Sequence, residues 1–222
     1  MKTIEWWWIR HAPVIDPAET IYGRTDLAAD IGSSAVAGSL DWLASLLPAD
    51  AVWVVSPLQR TSMTARALAD RVGVPANLVV DPELIEQHFG DWQGRPKADV
   101  YGTMGPDHPF WQAPATTPVP GGESFADVID RIRIAIARLA TSTAGPVIVV
   151  GHAGPIRAAL AVALDLSPAA ALRFHLDPLG LTRITSFLPA SAGTTTWSVT
   201  TVNAMGTSAA VKPIQSNVSE SE

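Results

Sequence analysis

Short runs of bulky apolar residues recur along the chain, and each stops abruptly at a polar residue. Residues 4–9 end at Arg10-His11, residues 51–55 at Ser56, and residues 146–150 at Gly151-His152. Runs of this length predict buried strands. Between them the spacing turns helical. Val36, Leu40, Leu43 and Leu47 share one face over residues 33–47. Ala65, Leu68 and Val72 do so after Ser56-Pro57-Leu58-Gln59, which reads as a helix start with Ser56 as cap. The clearest helix covers residues 124–139, with Ser124 as cap and Phe125, Val128, Ile129, Ile132, Ile136 and Leu139 on one stripe. Residues 78–80 predict a brief strand, Gly154-Pro155 leads a helix through Leu164, and Ser167-Pro168 opens a short one. Leu181–Leu188 and residues 195–202 predict two further strands.

Strands alternating with helices predict an α/β fold: a three-layer α/β/α sandwich around a mostly parallel sheet. Residues 95–122 break the alternation. They are rich in Pro and Gly, carry Tyr101, Phe110 and Trp111, and predict a lid-like insertion. With no repeat and no linker, residues 1–205 are expected to form one domain, and residues 206–222 a frayed tail.

Composition narrows the function. The 222 residues are 47% apolar, enough for a sizeable core. A net charge of -6 argues against a nucleic-acid partner. The chain has no cysteine, which removes disulfides and thiolate chemistry and fits a reducing cytoplasm. The apolar run before Arg10 is too short for a signal peptide, and no stretch has the length of a membrane span.

Parallel strands share one carboxyl edge, and in open α/β sheets ligands bind there. Arg10-His11, Ser56 with Arg60, and His152 therefore converge from three distant parts of the sequence. Two guanidiniums match phosphate oxygens with forked donors, and two helices begin beside them. A neutral imidazole among such donors can attack phosphorus. The departing alkoxide then needs a proton, and Glu86, beyond the strand at 78–80, is the candidate donor.

Five blocks of the chain resemble, in order, those of the histidine phosphatase superfamily, which includes the phosphoglycerate mutases. They are Arg10-His11-Ala12; Ser56-Pro57-Leu58-Gln59-Arg60 with Thr64-Ala65; Glu86 with Phe89-Gly90-Asp91-Trp92-Gln93-Gly94; Pro120-Gly121-Gly122-Glu123-Ser124; and Gly151-His152-Ala153-Gly154-Pro155-Ile156-Arg157. The resemblance implies a phosphoglycerate mutase-like fold and a phosphohistidine at His11. It implies phosphate binding by Arg10, Arg60 and His152, proton donation by Glu86, and no metal or other cofactor. The general look is of the small α-ribazole phosphatase-type enzymes of cobalamin assembly, so α-ribazole 5′-phosphate is a candidate among small phosphorylated substrates. A mutase-type phosphoryl transferase and a non-catalytic phosphate-binding module are the alternatives.

The chain also departs from the pattern. Ala12 and Ala153 stand where the family usually has Gly, and Gln93 where it often has Glu. Asp16-Pro17 occupies the neighbourhood of a phosphate-binding Asn found in many members. Arg24, Glu123, Ala153 and Trp111 are candidate substrate contacts. His88, His108 and His175 read as structural or surface residues. The Trp6-Trp7-Trp8 run predicts packing with alternate rings on opposite sheet faces.

Overall fold

The computed structural model describes residues 1–16, 19–103, 115–191 and 193–206. Six strands form one sheet: β1 (Lys2–Arg10), β2 (Val52–Val55), β3 (Leu78–Val80), β4 (Val147–Gly151), β5 (Leu181–Leu188) and β6 (Thr196–Ala204), in the order β3-β2-β4-β1-β5-β6. The β1–β4, β2–β4 and β2–β3 pairings are parallel, and β5 runs antiparallel to both β1 and β6. The helices are α1 (Ser34–Leu46), α2 (Gln59–Val72), α3 (Lys97–Thr103), α4 (Phe125–Ser142), α5 (Ala153–Leu164) and α6 (Pro168–Ala171). Of the predicted lid, residues 104–114 lie outside the described residues, together with Trp111 and His108. So does the predicted tail from residue 207.

The sheet separates two apolar layers. Trp6, Trp8, Val147 and Val149 pack with α4 and α5, whereas Trp7, Ile9, Ile148 and Val150 pack with α1 and α2. Alternate side chains of β1 therefore feed opposite cores, as the strand pleat demands. Trp6 and Trp8 stack at 6.3 Å between centroids, and on the other face Arg183 lies 3.9 Å over the Trp7 ring. This double burial explains why β2 and β4 read as unbroken apolar runs and β1 as one interrupted by the exposed Glu5.

α4 starts where the sequence marks it. Ser124 Oγ accepts from the Asp127 N–H, and Asp127 Oδ2 accepts from the Ser124 N–H at 2.9 Å. Such a reciprocal cap contributes about 1 kcal/mol. The predicted stripe from Phe125 to Leu139 is buried, and so fixes α4 to the sheet.

Two expectations need correcting. α2 begins at Gln59, not at Pro57, and Leu58 rather than Ser56 is its N-cap residue; Asp26 Oδ1 accepts the Gln59 N–H at 2.7 Å. The segment from residue 95, expected to be irregular, contains α3. Its sequence, Lys97-Ala98-Asp99-Val100-Tyr101-Gly102-Thr103, places a single large aliphatic residue inside the helix, so no periodic stripe announces it.

Short 3₁₀ turns at Pro82–Leu84 and Gly90–Trp92 carry the chain past the carboxyl edge. Gly90 has φ +50°, and a Cβ there would overlap Pro120 O and stand 2.7 Å from Gly122 N. Both obstacles are backbone, which cannot rotate away. Gly90→Ala is expected to destabilise the protein by about 1–3 kcal/mol in denaturant titration.

Candidate active site

The register puts Arg10 opposite Gly151 and Val55 opposite Val150, so β1, β2 and β4 end together. The His11 N–H donates to Gly151 O at 2.9 Å, which holds the first residue beyond β1 against the end of β4. His152 caps α5 at the same edge, and the His11 and His152 rings meet at 5.2 Å between centroids, edge to face. Both side chains are buried.

His11 has a defined tautomer. Its Nδ1 lies 2.7 Å from Ala12 O, and a carbonyl only accepts, so Nδ1 bears the proton and Nε2 keeps its lone pair. The Ala12 N–H in turn donates to Thr64 Oγ1, whose hydroxyl donates to Arg60 O. The loop behind the imidazole is thereby tied to α2, and the Ala12 amide has a protein partner.

Arg60 is fully buried in the first turn of α2. It donates from Nη1 to Thr25 O and from Nη2 to Gly23 O, each at 2.7 Å, and its guanidinium lies 5.1 Å from the Tyr22 ring centre. Tyr22 stands 6.5 Å from the His11 ring centre and so completes that wall. Arg10 donates from Nη1 to Leu176 O at 2.5 Å. Arg10 Nε, Arg60 Nε and His152 Nδ1 are buried without a hydrogen-bond partner among the described residues. Buried donors in that condition are costly, and three at one strand edge fit an anion receptor.

Ser56 Oγ lies 2.8 Å from His152 Nε2 and also accepts the Leu58 N–H at 3.3 Å. Glu86 accepts at Oε1 from the Gln87 N–H at 2.9 Å and from the Gly154 N–H at 3.2 Å, which joins it to the start of α5. Arg24 donates from Nε to Glu86 O and from Nη2 to Glu123 Oε1. Glu123 also receives Arg131 on both oxygens and the His88 N–H. Its carboxylate thus accepts from Arg24, Arg131 and the His88 amide together. Ala153 is buried at the first position of α5. Asp16 accepts from the Thr20 N–H and hydroxyl and so shapes its own loop. Gln93 accepts from the Arg24 N–H. His175 is exposed beside Asp177, while the half-buried His88 accepts from the Gly90 N–H.

The sequence places Ser56 at this edge but gives no role to Tyr22, Thr64 or Gly154. Thr64 and Gly154 lie inside the family blocks, but their types are also common in caps and helices. Only three-dimensional proximity separates those roles.

Burial, and then the charges of Arg10 and Arg60, holds His11 well below the ordinary 6.5, against a smaller upward pull from Ala12 O. His152 is lowered in the same way by burial, His11 and the same two arginines, with a further contribution from Arg131. Burial also lowers Arg60, against the pull of Glu86, and brings the buried Arg157 down to about 10. Both histidines are therefore neutral at pH 7.

A stability consequence follows from these two imidazoles. Between the depressed folded values and 6.5 the unfolded chain binds more protons, so stability rises with pH there. It is full above about pH 7 and is lost as pH falls through 6.5 toward the folded values. Calorimetry should show the melting temperature dropping over that window. In His11→Ala the slope of stability against pH should be shallower by up to one proton.

Two neutral buried imidazoles, the buried Arg60 with the half-buried Arg10, and a helix start share the carboxyl edge of this α/β sheet, an arrangement suited to an oxyanion. The chain belongs to the histidine phosphatase superfamily, branch 1, whose family model matches residues 6–197. It is 38% identical over 125 residues to a bifunctional protein of Mycobacterium tuberculosis, covering 56% of this chain and 34% of that one. It is 36% identical over 150 residues to a glucosyl-3-phosphoglycerate phosphatase of Mycolicibacterium vanbaalenii, covering 64% of each. An adenosylcobalamin/α-ribazole phosphatase of Salmonella typhimurium is 30% identical over 124 residues, 55% of this chain and 60% of that one. The chain thus spans between about a third and two-thirds of the length of these curated relatives. Among solved structures, mycobacterial hydrolase 2 superposes with a TM-score of 0.78 at 26% identity over 92% of both chains. Among the described residues no helix is long and apolar enough to cross a membrane, and no group of three or more His, Cys, Asp or Glu is placed to hold a metal ion.

Proposed function

We propose that this protein is a metal-independent phosphomonoester hydrolase that works through a phosphohistidine on His11. The observation that carries this reading is the His11 Nδ1 contact to Ala12 O, which leaves Nε2 unprotonated beside His152 and within the field of Arg10 and Arg60.

In the first step His11 Nε2 forms a bond to phosphorus as the ester P–O bond breaks. Glu86 gives its proton to the departing oxygen, and the alcohol leaves. In the second step water attacks the phosphohistidine, Glu86 takes the water's proton, the P–N bond breaks, and inorganic phosphate departs with His11 neutral again. Arg10, Arg60 and His152 bind the phosphoryl oxygens and offset charge that develops in both transition states. Arg24 and Ala153 face the remainder of the substrate, and Glu123 holds Arg24 in place. Residues 1–205 supply the whole unit.

The substrate class is a small phosphorylated metabolite. The named activities of the relatives make glucosyl-3-phosphoglycerate and α-ribazole 5′-phosphate the first two to assay. The test is a panel of phosphorylated metabolites assayed with and without a chelator. Release of phosphate that is indifferent to chelation supports the proposal. Phosphoryl exchange between 3-phosphoglycerate and 2,3-bisphosphoglycerate without net hydrolysis would instead make the protein a mutase. Tight phosphate binding with no turnover on any member would make it a binding module.

A further inference from the structure

The geometry points to Gly154 as a positioning residue that decides which carboxyl oxygen of Glu86 delivers the proton, and it does so by having no side chain. This inference rests on the phosphatase reading above and deepens its proton-transfer step.

Glu86 Oε1 accepts two backbone N–H groups, from Gln87 at 2.9 Å and from Gly154 at 3.2 Å. An oxygen occupied by two amide donors has no use for a proton of its own, so the transferable proton belongs on Oε2. The main chain of Glu86 is tethered independently by Arg24 Nε on its carbonyl oxygen at 3.0 Å. Glu86 is therefore held at its main-chain carbonyl and at Oε1, which leaves Oε2 as the oxygen to serve the leaving group.

Gly154 supplies both the donor and the space. A Cβ on residue 154 would fall far inside van der Waals contact of Glu86 Oε1, 3.5 Å from its Cδ and 3.9 Å from Gln87 Cβ. The residue lies in the first turn of α5, where its φ is one that any L-residue adopts. Alanine is a better helix former than glycine and keeps the N–H. The one thing a methyl group must displace is the tip of a flexible side chain. Gly154→Ala is therefore expected to leave the fold intact while moving the proton donor off its seat.

The experiment compares wild type, Gly154→Ala, Glu86→Gln and the double variant on two esters, an alkyl phosphate and 2,4-dinitrophenyl phosphate. The first cannot leave without a proton, and the second can. kcat/KM is the quantity to read, because it reports only the steps through formation of the phosphoenzyme. On the alkyl ester Gly154→Ala should lose about 10–10²-fold, within the range that general acid help provides. On the dinitrophenyl ester the change should stay within about twofold. The inhibition constant of inorganic phosphate and the melting temperature should not worsen. The double variant should be no slower than Glu86→Gln alone, since both changes remove one function.

Equal losses on both esters, or losses that multiply in the double variant, would overturn the role given to Gly154. So would a Gly154→Ala enzyme of wild-type alkyl activity beside an impaired Glu86→Gln. Undiminished alkyl turnover in Glu86→Gln would overturn the proton-donor reading itself, and the two failures are thus told apart.

Discussion

His11→Ala should lower kcat by about 10⁴-fold or more, because it removes the atom proposed to form the covalent bond. No neighbour can stand in for it. His152, 5.2 Å away by ring centre, is turned to Ser56 through its Nε2. Arg10 and Arg60 remain cations and cannot act as nucleophiles. The fold should survive, since among the described residues the His11 side chain has one hydrogen bond, to its own neighbour's carbonyl. The measurement is a rapid quench with a ³²P-labelled ester. Wild type should carry acid-labile label on residue 11, and the variant should carry none, with an unchanged circular dichroism spectrum. A variant that keeps its turnover would remove His11 from the chemistry.

Arg60→Ala should be nearly as damaging, and in two ways. Its guanidinium is buried under Tyr22 and satisfies the carbonyls of Gly23 and Thr25. Leaving two carbonyls without donors costs about 1–3 kcal/mol each when they stay dry, and the loop at 22–26 would keep its ties from Arg24 to Gln93 and from Gln59 to Asp26. The same change removes a preorganised charge from the transition state, worth about 10²–10³ in kcat. Arg60→Lys separates the two losses. A lysine keeps the charge but lacks the rigid fork that spans both carbonyls, so it should recover part of kcat and little of the stability. Chemical denaturation together with steady-state kinetics on the three forms checks both claims. An Arg60→Ala protein of wild-type stability would show that the loop is held by other contacts.

The sequence makes the central sheet plain because β1, β2 and β4 are buried on both faces, which leaves apolar runs that no exposed element would carry. The amphipathic helices α1, α2 and α4 are equally plain, since a single buried stripe marks each. The edge that gathers Arg10, His11, Arg60 and His152 follows from parallel strands alone. What the sequence hides is whatever depends on a partner far along the chain. Ser56 followed by Pro57 is a sound helix-start pattern, yet its hydroxyl is taken by an imidazole 96 residues away. Glu123 reads as a candidate substrate contact, but Arg131, eight residues on, and Arg24, 99 residues back, both occupy its carboxylate. Tyr22 sits in a loop pinned in part by two hydrogen bonds from Arg60. No local rule reports any of these, because each is decided by a side chain that sequence distance conceals.

The hydrogen bond between His11 and the carbonyl of Ala12 bears on which isomer the proposed phosphohistidine would be. Imidazole has two positions at which a phosphoryl group can reside, and the two isomers differ in lability and in nuclear magnetic resonance shift. Here the proximal nitrogen is engaged with the main chain, so only the distal, tele position is open to phosphorus. Wild-type enzyme trapped mid-cycle should yield a single isomer, 3-phosphohistidine, with none of the 1-phospho form.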